Sequence, residues 1–358
     1  MDLNELLKLT VDKGASDLHL RVPSPPVLRI DGVLVTQQDM APLTPKDLED
    51  AFESITTPEQ RDTFFKELEL DFAYSVPGVA RFRVSVMKQR GTISLAFRLV
   101  PIEILSIDDL GLPQVCKELV LKPRGLILVT GPTGSGKSTT LAAMINHLNE
   151  NDARNVITIE DPIEYLHRNQ KCLIAQRDLG DDTRSFDIAL THALRHDPDV
   201  IVVGEMRDLA TISTAIRAAE TGHLVMGTLH TTDAAQTVDR IIDIFPADHQ
   251  QQIRLQLSQI IEAVLCQTLL PRVNGGRIAA FEIMIANSAV RNLIREGKTY
   301  ELPNVIRLSS KDGMMTLDQA LADLVKSRIV SQEEAMMRSS NPERLMKSLQ
   351  FEYGSLRL

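Results

Sequence analysis

Tryptophan is absent from this 358-residue sequence, and aromatic residues make up only 4% of it. A surface that grips nucleic acid by stacking bases on rings is therefore not expected. Positive charge is also in deficit: 39 Lys plus Arg against 48 Asp plus Glu leave a net charge of −9, which repels a phosphate backbone. There are three cysteines, Cys116, Cys172 and Cys266, far apart in the chain. That spacing excludes a C-x-x-C zinc site, argues against a disulfide framework and points to a reducing, cytoplasmic compartment. No apolar run approaches the roughly 20 residues of a membrane-spanning helix. The opening Met1-Asp2-Leu3-Asn4-Glu5 lacks the basic and apolar regions of a secretory leader. Direct membrane insertion is not expected, and work at a membrane would need a partner. What remains, 43% hydrophobic and 24% charged residues, describes a globular chain long enough for two domains.

The first hundred residues read as a small α+β domain (residues 1–99). Leu3, Leu6, Leu7 and Val11 recur at helical spacing, and Gly14 ends that helix. Strand-like Leu18–Val22 and Val27–Ile30 follow, and Asp31-Gly32 is a hairpin turn into Val33–Thr36. Thr44-Pro45 and Thr57-Pro58-Glu59-Gln60 are helix starts, the second with a capping-box Gln. In Ala80–Met87 and Thr92–Leu99 polar and apolar residues alternate. With Arg90-Gly91 as a two-residue turn, Val86 faces Leu95 and Val84 faces Phe97, which keeps every apolar pair on one side. The same register sets Arg83 opposite Arg98. Two facing cations need solvent, an acidic neighbour or an anion between them.

Residues 100–121, punctuated by Pro101, Gly111 and Pro113, read as a connector. From there strands alternate with helices through residues 122–288, the pattern of a parallel sheet flanked by helices. The strands expected are Leu126–Thr130, Val156–Ile159, Val200–Val203, Leu224–Thr228 and Ile278–Ile285. Residues 289–358 read as helical, with helices at Ala289–Glu296, Thr316–Lys326 and near Pro342–Leu349.

The segment Gly131-Pro132-Thr133-Gly134-Ser135-Gly136-Lys137-Ser138 satisfies G-x-x-x-x-G-K-[ST] in full, with a buried strand before it and a helix after it. Such a loop turns consecutive backbone N–H groups inward on phosphates, and the helix N-terminus adds partial positive charge. Thr133, Gly134, Ser135, Gly136, Lys137, Ser138 and Thr139 are thus expected to hold the nucleotide, with Lys137 on the β/γ-phosphates and Ser138 on Mg²⁺. Two of the strands run into acid at their C-terminal ends, at Glu160-Asp161-Pro162-Ile163-Glu164 and Gly204-Glu205-Met206-Arg207-Asp208. That is where an open parallel sheet sets its catalytic groups. His223 and His230 bracket Leu224–Thr228, and both are expected at that sheet edge, where they could read the γ-phosphate.

Leu194–Asp208, with Ile159–Glu164 and the stretches Thr221–His223 and Leu229–Thr232, resembles the signature, Asp box and His box of the type II/type IV secretion ATPases. Gly14–Leu20 also fits, so the resemblance spans nearly the whole chain. Within the family, Ala289-Val290-Arg291-Asn292-Leu293-Ile294-Arg295-Glu296 is similar to a motif of pilus-retraction motors, with Val290 in place of the expected Ile. The tetracysteine module of extension and secretion relatives is missing. The resemblance implies a homo-hexameric ring of PAS-like N-terminal and RecA-like C-terminal domains that hydrolyses ATP to ADP with Mg²⁺ to drive retraction and twitching motility. It would sit at the inner face of the cytoplasmic membrane on a platform protein. By motif Glu205 polarises the attacking water and Glu164 supports the metal or that water. His223 and His230 read the nucleotide state, and Arg83 and Arg98, with Arg81 a third candidate, are the family's arginines. An accessory or secretion-type motor is the alternative, and a nucleic-acid translocase a more distant one.

Overall fold

The computed structural model describes residues 2–30, 32–100 and 103–353. Asp31 of the expected hairpin turn and Pro101 of the expected connector lie outside the described residues. The chain divides into two compact units, Met1–Glu103 with Glu164–Leu166, and Ile104–Ile163 with His167–Leu358.

The first unit is built on six antiparallel strands: β1 (Asp17–Leu20), β2 (Val27–Ile30), β3 (Val33–Thr36), β4 (Glu69–Val76), β5 (Ala80–Gln89) and β6 (Thr92–Val100). Their order is β3-β2-β1-β6-β5-β4. The β5–β6 hairpin has the expected register, with Val86 opposite Leu95, Val84 opposite Phe97 and Arg83 opposite Arg98. Its turn places Arg90 at φ 49° and Gly91 at φ 83°, the two left-handed residues of the tight hairpin whose twist matches the strands. The apolar alternation of β5 and β6 meets Phe52 and Leu48 of the helix Pro45–Ile55, giving one core that also takes in Leu18, Leu20, Leu28 and Phe64. Both helix starts carry reciprocal capping boxes, Thr44 with Asp47 and Thr57 with Gln60, each stabilising its first turn by about 1 kcal/mol. Strand β4 was not expected. It leaves the left-handed cap at Leu68 (φ 65°) with no Gly or Pro to announce it.

The second unit holds β7 (Gly125–Thr130), β8 (Asn155–Glu160), β9 (Leu173–Asp178), β10 (Val200–Val203), β11 (Leu224–Leu229), β12 (Ile261–Pro271) and β13 (Arg277–Ile285). The order is β13-β12-β7-β11-β10-β8-β9, all neighbours being parallel except β13, which pairs antiparallel with β12. Successive residues point to opposite faces, so Leu126 and Leu128 enter one helical layer while Ile127 and Val129 enter the other. That two-sided burial is why these strands read as continuous apolar runs. Ile107, Leu112, Cys116, Leu119 and Val120 lie buried in the second of those layers. Near the C-terminus, Leu321 and Leu345 pack on Leu270 and Ala280 of the β12–β13 hairpin. Helix Leu317–Lys326 opens with a Thr316–Gln319 capping box.

Two strands of this sheet, β9 and β12, were not expected. β12 follows the helix Gln250–Ile260 with no Gly or Pro between them, and the backbone switches to extended at Ile261 (φ −63°, ψ 130°) between two adjacent isoleucines. With no breaker at the junction, periodicity alone does not place the boundary between helix and strand.

Candidate active site

The loop 131–138 leaves the C-terminal end of β7 and runs into the helix Lys137–Asn151. Gly136 caps that helix in the left-handed region (φ 92°), where a side chain would be strained. At Gly131 (φ 140°) an added Cβ would stand 2.2 Å from the Gln267 carbonyl oxygen and 2.7 Å from Ser135 Oγ, so only glycine fits. Lys137 folds back over the loop, its Nζ donating to Gly131 O (2.8 Å) and Pro132 O (3.2 Å). Thr133 and Gly134 are exposed, Ser138 and Thr139 half-buried.

Glu205 follows β10 at the same edge, two strands from β7, or about 10 Å at ordinary strand spacing. Its Oε1 accepts a hydrogen bond from His230 Nε2 (2.8 Å), just past the end of β11, and another from Arg207 Nε. Burial works to raise the Glu205 pKa, but the Arg207 bond and charge and the His230 pairing outweigh it and hold the carboxyl below its usual value. The edge therefore carries an ionised carboxylate backed by two cationic or donor groups. Its floor is close-packed: a Cβ on Gly227 would meet Met206 Sδ at 2.3 Å, while the Thr228 hydroxyl donates to Gly204 O. At the end of β8, Glu160 accepts from Thr158 Oγ1 (2.6 Å) and Gln176 Nε2 (3.1 Å). Glu164 is exposed and groups with the first unit.

His223 requires a correction. β7 and β11 are parallel, with Leu224 beside Gly125 and Leu229 beside Thr130. His223 therefore stands at the start of the sheet, where its carbonyl accepts from Gly125 N (3.0 Å) and its Nδ1 pairs with Ala218 O (2.9 Å). The strand separates it from the edge that carries loop 131–138, and His230 alone is at that edge.

In the first unit the two arginines belong to a longer cross-strand row, Arg29–Asp17–Arg98–Arg83 over β2, β1, β6 and β5. The acidic neighbour that two facing arginines require is Asp17, whose Oδ1 accepts from Arg98 Nε at 2.9 Å and whose Oδ2 lies 3.8 Å from Arg29 Nε. Burial tends to raise the Asp17 pKa, and the Ser16 and Arg98 hydrogen bonds with the Arg98 charge bring it below its ordinary value. The Arg98 side chain stays 70% exposed, and Arg83 is exposed beside it. Sequence reasoning missed the pairing because Asp17 and Arg98 are 81 residues apart.

Gln267 escaped the sequence reading, as did the contacts of Arg291 within the segment Ala289–Glu296. Gln267 of β12 hydrogen-bonds both the loop and the helix that follows it. In helix Ser288–Glu296, Arg291 donates to Ser258 O (3.0 Å), Gln259 O (2.8 Å) and Glu262 Oε1 (2.8 Å). Glu262 in turn pairs with Lys122 Nζ at 2.8 Å.

Comparison with known proteins decides the family. The family described as Type II/IV secretion system protein matches residues 3–274. The chain belongs to this family. Among its relatives, the type IV pilus retraction ATPase PilT of Pseudomonas aeruginosa is 48% identical over 96% of this chain and 99% of its own length. A twitching motility protein of Neisseria gonorrhoeae is 47% identical over 89% of this chain and 85% of its own. A crystal structure of the pilus retraction motor PilT with bound ADP superposes with a TM-score of 0.91 at 47% identity, covering 97% of this chain and 99% of the other. The parallel sheet of the second unit and the antiparallel sheet of the first match the fold of that structure. Among the described residues no helix is long and apolar enough to cross a membrane.

Proposed function

We propose that the chain is a mechanochemical ATPase that hydrolyses ATP to ADP and phosphate and, as a homo-hexameric ring, powers type IV pilus retraction and twitching motility. The observation that carries turnover is the ionised Glu205, bonded to His230 at the edge where loop 131–138 begins. Retraction is supported by the near full-length similarity to PilT of Pseudomonas aeruginosa. The backbone N–H groups of Thr133–Thr139 and Lys137 cradle the phosphates. The hydroxyl of Ser138 is a hard oxygen donor suited to Mg²⁺, with Glu164 the carboxylate that would support the ion or its water. When bound, that ion would neutralise charge on the β/γ-phosphates. Glu205 orients and polarises the attacking water, and His230 holds Glu205 in place. Arg83 and Arg98 of a neighbouring subunit close on the γ-phosphate, with Asp17 orienting Arg98. The ring works at the cytoplasmic face of the membrane, held by a platform protein.

Glu205→Gln should bind ATP as the wild type does and hydrolyse it at least about a hundredfold more slowly. Turnover at the normal rate would overturn the assignment. The type IV pilus ATPase PilU of Pseudomonas aeruginosa, 40% identical over 98% of this chain, keeps an accessory pilus motor as the second reading. Retraction in a cell where this chain is the sole retraction ATPase separates the two.

A further inference from the structure

Gln267 lies on β12 one residue past the pair Cys266–Thr130, level with the start of the phosphate loop. The residue is buried, 3% exposed, and its partners decide which way the amide points. The Ser135 carbonyl can only accept, so Nε2 faces it at 2.6 Å, leaving Oε1 to take the Thr140 hydroxyl proton at 2.9 Å. One amide thus ties the middle of the loop to the first turn of the helix behind it. The main chain of the same residue confines the start of the loop, since Gln267 O is the atom that a Cβ on Gly131 would strike. The end is confined too, because a Cβ on Gly136 would lie 3.2 Å from Nε2.

A peptide unit is planar and trans, so holding the Ser135 carbonyl also fixes the N–H of Gly136, which points the opposite way, away from β12. That N–H belongs to the set that a phosphate would meet. We propose that Gln267 is a positioning residue: it aims the backbone donors of loop 131–138 and so sets nucleotide affinity, without touching the nucleotide. The proposal rests on the reading of the loop as an ATP site. A side chain that shapes the loop alike in ground and transition states shifts KM and leaves kcat nearly unchanged.

The test compares Gln267→Glu, Gln267→Met and Thr140→Val with the wild type in the full-length protein. Glutamate keeps the acceptor for Thr140 but turns an oxygen toward the Ser135 carbonyl. Methionine fills the space and removes both bonds. ADP titration and steady-state ATP hydrolysis are read beside melting without nucleotide. For Gln267→Glu, KM and the ADP Kd should each rise at least about tenfold while kcat stays within about threefold. Gln267→Met should follow in the same sense. Thr140→Val should weaken ADP binding by a smaller factor, and Thr140→Ser, which restores the hydroxyl, should bind as the wild type does. If Gln267→Glu does not fold, the Thr140→Val and Thr140→Ser pair carries the test. Unchanged KM and Kd, or a fall in melting temperature with normal affinity, would overturn the role of Gln267. A wild type that binds neither ADP nor ATP would instead overturn the ATP reading of the loop.

Discussion

The two sheets of this protein carry their charges in different ways. In the first unit the charges lie on the face of an antiparallel sheet, in a row that crosses four strands from Arg29 to Arg83. In the second they lie at the edge of a parallel sheet, on loops that leave the C-terminal ends of β7, β10 and β11. A row on a face is fixed by register, which sets Asp17 between Arg29 and Arg98, and one slip would dissolve the row. An edge is fixed by topology, so the strands can be buried on both faces while the chemistry sits outside the core. The first design tolerates change at its exposed members. The second does not, because its loops are wedged against the neighbouring strand.

That contrast breaks most sharply at Gly131. Gly131→Ala sets a Cβ against the Gln267 carbonyl at a φ that L-residues rarely adopt. ADP affinity should fall at least about a hundredfold with a loss of about 3 kcal/mol in stability. Normal ADP titration and melting would show that β12 does not confine the loop. Two shielded carboxylates sharpen the comparison further, since they respond to pH in opposite senses. Burial, with Asp233 and Asp318 nearby, pushes Glu282 of β13 up to about 7 against the hydrogen bond it accepts from Ala234 N. A folded pKa above the unfolded one gives stability that is full below the unfolded value and declines as pH rises toward 7. Glu282→Gln should remove that decline, about 2 kcal/mol after allowing for partial exposure, read as melting temperature against pH.

Asp17 behaves the other way. Its folded pKa is depressed, so its contribution is present above the ordinary carboxylate range and is lost as pH falls through the folded value. Asp17→Asn should cost about 1 kcal/mol at neutral pH, because Arg98 is mostly exposed, and should lose the acid-side slope. The smallest effect belongs to Arg83→Ala, under about 0.5 kcal/mol in stability. If Arg83 serves a neighbour's γ-phosphate, that variant should still lose most of its ATP turnover. Unchanged turnover in an assembled ring would return Arg83 to a solvated face.

Local patterns made much of this legible. The turn Arg90-Gly91 gave the register of β5 and β6, down to Arg83 opposite Arg98, because alternation leaves one pairing that keeps Phe82, Val84 and Val86 on the core side. The loop at 131–138 and the acid after β10 were readable because each is a short segment set by a strand end. What escaped depends on distant pairings. Asp17 meets Arg98 only once β1 is laid against β6, and Gln267 meets Ser135 only once β12 is laid against β7. His223 and His230 bracket one strand in sequence and so stand at its opposite ends. Direction along β11, set by its parallel neighbours, separates them.

β12 is clamped at its start and tied to the loop at its middle. Arg291 and Glu262 hold the start, Gln267 bonds the loop, β7 pairs with it up to Cys266 and β13 from Ala263 to Pro271. A strand held this way has no inexpensive local opening, so its amides should exchange with solvent deuterium only when the whole unit unfolds. The phosphate loop and the helix Ser288–Glu296, more than a hundred residues apart in sequence, then belong to one cooperative block. Loosening Arg291 should appear as lost protection at Ser135 and Thr140, whose N–H groups bond Pro132 O and Gly136 O, and nucleotide in the loop should slow exchange at the root of the helix.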